Sequence, residues 1–287
     1  MTATSGGSLE TVARHICSGI GAGFDKLVGE GAFKQVFLIQ NSLGQPIALK
    51  VIRSTAAAPR TEREVDALKR CNHPNIGKLF QVGQMQYGTE VFDFTLEEFL
   101  AGGTLNDRLL NGGLLDRASV LVLGSPLIDA LDHLRGLGLV HRDIKPANIM
   151  FRADGRTPVL VDFGIVRDLS AQSITMTAIG RGPGTPYFAS PEQLNNEKRL
   201  TGWRSDQFSL GITLYFSLFG LHPYNYPGEA AWTIAAIDRV AGRADRHITF
   251  LEMASNAQLP CLIRMTEPWP VSRYRLTTDL AKDWAAQ

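Results

Sequence analysis

The stretch His141-Arg142-Asp143-Ile144-Lys145-Pro146-Ala147-Asn148, followed by Asp162-Phe163-Gly164, decides how this chain is read. Asp162 comes 19 residues after Asp143, so two short segments carry two carboxylates, an amide, a lysine and an arginine. One carboxylate can orient a hydroxyl and accept its proton. The other, with the Asn148 amide oxygen, supplies the oxygen ligands that Mg2+ takes while it bridges phosphates. Lys145 can neutralise charge on a group in transfer.

Working outward, Gly29-Glu30-Gly31-Ala32-Phe33-Lys34 lies between two predicted strands. Glycines there let the backbone approach phosphate oxygens, since no Cβ intervenes. The same residues also suit an ordinary hairpin turn, and Lys34 stands where a third glycine of G-x-G-x-x-G would be. Ala48-Leu49-Lys50-Val51-Ile52 sets a lysine inside an apolar strand. Strand alternation puts Ala48 and Ile52 on its face and Leu49 and Val51 on the other. If that face is buried, the ammonium needs a charged partner. Glu64, in the helical segment TEREVDALKRC, can supply one. An exposed lysine and a solvated glutamate are the plainer alternatives.

The surrounding pattern gives the organisation. FDKLV, QVFLIQ and PIALKVI read as strands joined by GEGAFK and NSLGQ, and VGQMQYGTEVFDFTLEEFL reads as two more around a glycine turn. After Ala101-Gly102-Gly103 helical periodicity dominates, in TLNDRLL, ASVLVLGSPLIDALDHLRGLG and WRSDQFSLGITLYFSLFG. Residues 1–20 read as a polar arm and a short helix. The class is therefore α+β, a strand-rich part of about 100 residues before a larger helical one. With 29 Lys+Arg against 28 Asp+Glu the net charge is +1, which speaks against a nucleic-acid partner. Three scattered cysteines, Cys17, Cys71 and Cys261, fit neither a disulfide framework nor a zinc site. No signal peptide is evident, and the 14-residue apolar run Phe208–Leu221 is too short to span a bilayer. A cytoplasmic protein without a membrane partner is expected.

From about Phe24 to Trp284 the chain resembles the eukaryotic-like (Hanks-type) protein kinases. The glycine-rich loop, the strand lysine, the catalytic loop, Asp-Phe-Gly and Ser190-Pro191-Glu192 occur in the family's order. His73-Pro74-Asn75-Ile76, Gly184-Thr185-Pro186-Tyr187-Phe188, Asp206 and Arg273 match further family elements. The resemblance implies the bilobal kinase fold, with a small antiparallel-sheet N-lobe (about 21–100) bearing one main helix. A hinge (about 98–103) and a mostly helical C-lobe (about 104–287) would follow. It implies Asp143 as catalytic base, Lys145 as a γ-phosphate contact, and Asn148 and Asp162 as Mg2+ ligands, with Mn2+ an alternative. Lys50, paired with Glu64, would hold the α- and β-phosphates of ATP beneath Gly29 and Gly31. Val28, Val36, Ala48 and Met150 would enclose the adenine, and the backbone of Glu98 and Leu100 would meet its edge. Asp206 would brace the catalytic loop, and Arg273 would pair with Glu192.

Lys145, with Thr185, matches serine/threonine rather than tyrosine kinases, and SPEQL with DFGI is similar to bacterial members. Arg142 beside the base suggests control by phosphorylation, with Thr175 and Thr177 as the sites. Protein substrates, and self-association for trans-autophosphorylation, are the partners this implies. Four positions depart from the family. Lys34 replaces a loop glycine, Ser190 replaces the alanine of A-P-E, and only 14 residues separate Lys50 from Glu64. Glu97 falls at the gatekeeper, usually an apolar or threonine position, where a carboxylate would need a partner such as Lys50. A register slip of one would put Leu96 or Glu98 there instead. The alternatives to a protein kinase are a kinase-like nucleotide-binding scaffold and a small-molecule kinase.

Overall fold

The structure, a computed structural model, describes residues 8–31, 34–53, 62–162 and 185–287, and of residues 62–64 and 185 the backbone alone. Two compact units emerge, one of Met1–Asn72 with Gly77–Ala101, the other of His73–Ile76 with Gly102–Gln287.

The first unit is built on five antiparallel strands: β1 (Gly23–Glu30), β2 (Lys34–Gln40), β3 (Pro46–Arg53), β4 (Leu79–Tyr87) and β5 (Glu90–Glu98). Their spatial order is β1-β2-β3-β5-β4. Helix α1 (Leu9–Ile20) precedes the sheet, and α2 (Glu62–Arg70) lies between β3 and β4. Ser8 caps α1 by accepting the Thr11 N–H, and Gly21 closes it in the left-handed region at φ 67°. The expectation of a polar arm with a short helix understates this segment. Val12, Ala13, Ile16 and Cys17 repeat at helical spacing and are buried against Phe37, Ile39, Leu49, Val51, Phe92 and Phe94. The helix thus supplies one wall of this unit's core, and its Cys17 is a core residue. Leu49 and Val51 face α1, as alternation requires, so Ala48, Lys50 and Ile52 point to the opposite face.

The second unit is helical apart from a two-stranded sheet, β6 (Ile149–Phe151) with β7 (Pro158–Leu160). Helix α3 (Leu105–Gly112) opens with a capping box between Thr104 and Asp107, and α4 (Arg117–Gly136) is capped by Asp116. The short α5 (Pro191–Leu194) precedes α6 (Trp203–Phe219), and α7 (Ile234–Ala241), α8 (Ile248–Asn256), α9 (Pro260–Met265) and α10 (Thr277–Ala285) follow. Helix α6 is buried nearly all round, including Ser209, Thr213 and Ser217. Each of these hydroxyls donates to the carbonyl four residues earlier, at 3.2, 2.8 and 2.8 Å, so the polar groups enter the core satisfied. Among the described residues no helix is long and apolar enough to cross a membrane.

Helix α10 packs on α4 through the Trp284 ring, whose Nε1 donates to the Leu121 carbonyl at 3.2 Å. The ring lies over Gly124, where a Cβ would come 2.2 Å from Trp284 Cζ2. Gly124→Ala is expected to cost about 1–3 kcal/mol through forced repacking. Denaturant unfolding of the whole chain measures it, and an unchanged midpoint would show that the two helices separate freely.

Candidate active site

The segment 141–148 is held from below by α6. Asp206, fully buried, accepts the His141 N–H at 2.7 Å and the Arg142 N–H at 2.8 Å. Two adjacent amides can converge on one carboxylate because Arg142 adopts φ 68°. His141 is also buried: its Nδ1 accepts the Asp143 N–H at 3.3 Å and its Nε2 meets the Val161 carbonyl at 3.0 Å. That assigns the proton to Nε2 and ties the segment to the residue before Asp162.

Above this base stand the functional side chains. Lys145 Nζ donates to both Asp143 carboxylate oxygens at 3.2 and 3.0 Å. Asn148, in a single 3-10 turn begun by Pro146, donates from Nδ2 to the Asp143 carbonyl at 2.8 Å and to its Oδ2 at 2.9 Å. With Nδ2 so engaged, Asn148 turns its amide oxygen elsewhere, as a cation ligand must. The Val161 N–H donates to the Asn148 carbonyl at 3.0 Å, so Asp162 begins beside it, at φ 67°. The structure therefore brings Asp143, Lys145 and Asn148 together as the sequence suggested, with Asp162 two residues past the end of β7. Phe163, Gly164, Thr175 and Thr177 lie outside the described residues.

The lysine sits in the first unit. Lys50, on β3, is opposite Val36 on β2 and Thr95 on β5, and Ala48 is opposite Glu97. Lys50 Nζ donates to Glu97 Oε2 at 2.6 Å, and Thr95 Oγ1 donates to Glu97 Oε1 at 2.7 Å. Glu97 shares the face of Lys50, while Leu96 pairs with Leu49 on the α1 side. Glu64 belongs to α2, but its side chain lies outside the described residues, and so does any pairing with Lys50.

Of the remaining binding candidates, Gly29 pairs with Val36, and the Gly31 N–H donates to the Lys34 carbonyl at 2.9 Å. Val28 is exposed at an irregularity in β1, whereas Ala48 and Leu100 are buried. Glu98 gives its N–H to the Lys78 carbonyl at 2.9 Å, so its backbone can meet a ligand only as an acceptor. Met150, half-buried on β6, belongs to the second unit.

Two features escaped the sequence reading. Gln193 donates from Nε2 to the Arg142 carbonyl at 2.9 Å and accepts the Ser190 N–H at 3.1 Å, bracing the catalytic segment from α5. Its position directly after Ser190-Pro191-Glu192 was the available signal. Thr95, which fixes the Glu97 carboxylate, carried no signal without the strand register.

The Glu192–Arg273 pair is also formed, at 2.7 and 3.1 Å, with both side chains fully buried. The guanidinium's other donors reach the carbonyls of Glu267, Arg204 and Pro268 at 2.7, 2.9 and 3.1 Å, so all five N–H groups are used. Burial by itself would raise the Glu192 carboxyl, but the Arg273 bonds and the Ser205 hydroxyl hold it below its ordinary value. Burial pushes Asp206 the other way, up to about 7, against the pull of the Arg142 and His141 N–H groups.

Removing the Glu192 charge leaves a buried guanidinium unpaired, so Glu192→Gln should destabilise the fold by about 3–5 kcal/mol. Asp206 makes stability depend on pH with a definite sign. From about pH 4 to about 7 the folded chain keeps a proton that the unfolded carboxyl has released, so this group's contribution falls as pH rises through that window. Denaturation at pH 5 and pH 8 should show the native chain losing ground against Asp206→Asn at the higher pH. A difference that does not change with pH would place the Asp206 titration near its unfolded value.

Residues 23–284 match the protein kinase domain family. The chain is 33% identical over 236 residues to the serine/threonine-protein kinase pkn3 of Myxococcus xanthus, covering 78% of this chain and 40% of that protein. It is 32% identical over 253 residues to a Bifidobacterium longum protein named "Probable serine/threonine-protein kinase PknB", covering 84% and 34%. Over 210 residues it is 31% identical to myosin light chain kinase A of Dictyostelium discoideum, covering 70% and 67%. The chain thus spans less than half the length of the two bacterial relatives. The catalytic segment, the strand lysine and these matches agree: the chain belongs to the protein kinase family, with Hanks-type serine/threonine kinases of bacteria among its relatives.

Proposed function

We propose that this chain transfers the γ-phosphoryl group of ATP to serine or threonine hydroxyls of proteins. The observation that carries this reading is the Asp143 carboxylate gripped by Lys145 and Asn148 on a loop anchored to Asp206. Asp143 would orient the acceptor hydroxyl and take its proton. Lys145, already in contact with that carboxylate, would lie beside the γ-phosphoryl group and offset its charge. Lys50 would hold the α- and β-phosphates, with Val28, Val36, Ala48 and Met150 around the adenine and Gly29 and Gly31 above the phosphates.

Family membership implies ATP and a divalent cation. Among the described residues no group of three or more His, Cys, Asp or Glu side chains could hold a metal. The oxygens of Asn148 and Asp162 fit Mg2+, which binds through one or two protein ligands and completes its shell with phosphate oxygens and water. Mn2+ takes the same donors. When bound, the cation supplies charge neutralisation across the phosphates.

Arg142 Nε is buried with no hydrogen-bond partner among the described residues, as befits a guanidinium that receives an anion from elsewhere. This supports phosphorylation at Thr175 or Thr177 as a control, reached by one copy of the chain acting on another.

The test is incubation with radiolabelled ATP and Mg2+, followed by phosphopeptide mapping. Transfer to Ser/Thr of a protein acceptor or of the chain itself is expected, with Asp143→Asn reducing it about 10²–10⁴-fold. Nucleotide binding with no Asp143-dependent transfer would favour the scaffold reading.

A further inference from the structure

The face of the sheet that carries Lys50 holds a second acid whose placement is set by the strands themselves. Seven consecutive residue pairs join β3 to β5, from Ile47 with Glu98 to Arg53 with Phe92. In this ladder Ala48 is opposite Glu97 and Lys50 is opposite Thr95, so Lys50 and Glu97 are diagonal neighbours on one face. Diagonal positions of an antiparallel pair lie within reach of long side chains. The two side chains use that reach: Nζ and Oε2 are 2.6 Å apart, with side-chain exposures of 11% and 13%. A contact so short and so screened from water is a charge-assisted hydrogen bond of the strong kind. Thr95, 2% exposed, occupies the other carboxylate oxygen and stops the group from rotating.

We infer that Glu97 is a positioning residue for phosphoryl transfer, acting as a counter-ion that aims the Lys50 ammonium from within the sheet. The inference rests on the proposal that Lys50 contacts the ATP phosphates. Glu97 lies on the strand paired with that of Lys50 and so stays beside it. The bond to Glu97 engages one ammonium donor and so steers the group along the sheet. The paired charge also explains how a carboxylate is tolerated at this half-buried place.

A counter-ion that acts through lysine on phosphate has a distinctive signature. Its loss removes a negative charge beside the ammonium, so attraction for phosphates does not fall, while the aim of the lysine in the transition state does. Glu97→Gln keeps the size of the side chain and an acceptor for Thr95. Its kcat is expected to drop about ten- to a hundredfold, the order of loss that small misplacements cause. Calorimetry should show ADP bound at least as tightly as by the native chain, and adenosine bound equally. In a Lys50→Met background Glu97→Gln should cause no further loss.

A kcat within twofold of native, or equal losses of ADP and adenosine affinity, would overturn the role. Should Glu97→Gln unfold, Glu97→Met, apolar and suited to the half-buried position, is read by the same criteria. Lys50→Met separates the two levels. If it leaves transfer and the preference for ADP over adenosine intact, the reading of Lys50 falls and Glu97 with it. If it abolishes both while Glu97→Gln changes nothing, only the inference about Glu97 falls.

Discussion

The hydrogen bonds from the His141 and Arg142 amides to Asp206 are the constraint on which the site depends. A catalytic loop has little regular structure to fix its backbone. Asp206 comes from α6, the most enclosed helix of its unit, so its carboxylate is a fixed point. Both amides converge on it only with Arg142 in the left-handed region, a conformation costing roughly 1–3 kcal/mol for a non-glycine residue. The two hydrogen bonds offset that cost and set the direction in which Asp143 leaves the loop. The His141 ring then repeats the device one layer up, joining the Asp143 amide to the Val161 carbonyl. Rigid core, buried acid, strained loop and functional carboxylate form one chain of cause.

Much of this was legible in the sequence because the chemistry is local there. HRDIKPAN holds Asp143, Lys145 and Asn148 within six residues, and a Pro-initiated turn suffices to bring them together. The strands of the first unit were legible for a similar reason, since alternation and glycine turns are short-range signals. What was not legible depends on pairing between distant segments. Gln193 reaches Arg142 across 51 residues, and the placing of Glu97 on the face of Lys50 depends on a register only the β3–β5 ladder fixes. Helix α1 belongs to the same class. Its amphipathic pattern was visible, but the face it covers is made by β2, β3 and β5 together.

The Glu192–Arg273 and Lys50–Glu97 pairs show how donor geometry divides structure from function. Arg273 places five N–H groups on fixed acceptors, two on Glu192 and three on backbone carbonyls, and so locks α5 to the segment after α9. A planar guanidinium saturated in this way has no donor to offer a ligand and serves architecture alone. Lys50 carries its charge at the end of a flexible stem, where Glu97 engages the ammonium. The same Coulomb attraction is thus used in one place to close a core and in the other to aim a charge. For this reason a carboxylate at position 97 is compatible with the fold. The half-buried acid stands beside a buried base that engages one carboxylate oxygen, and Thr95 completes the second.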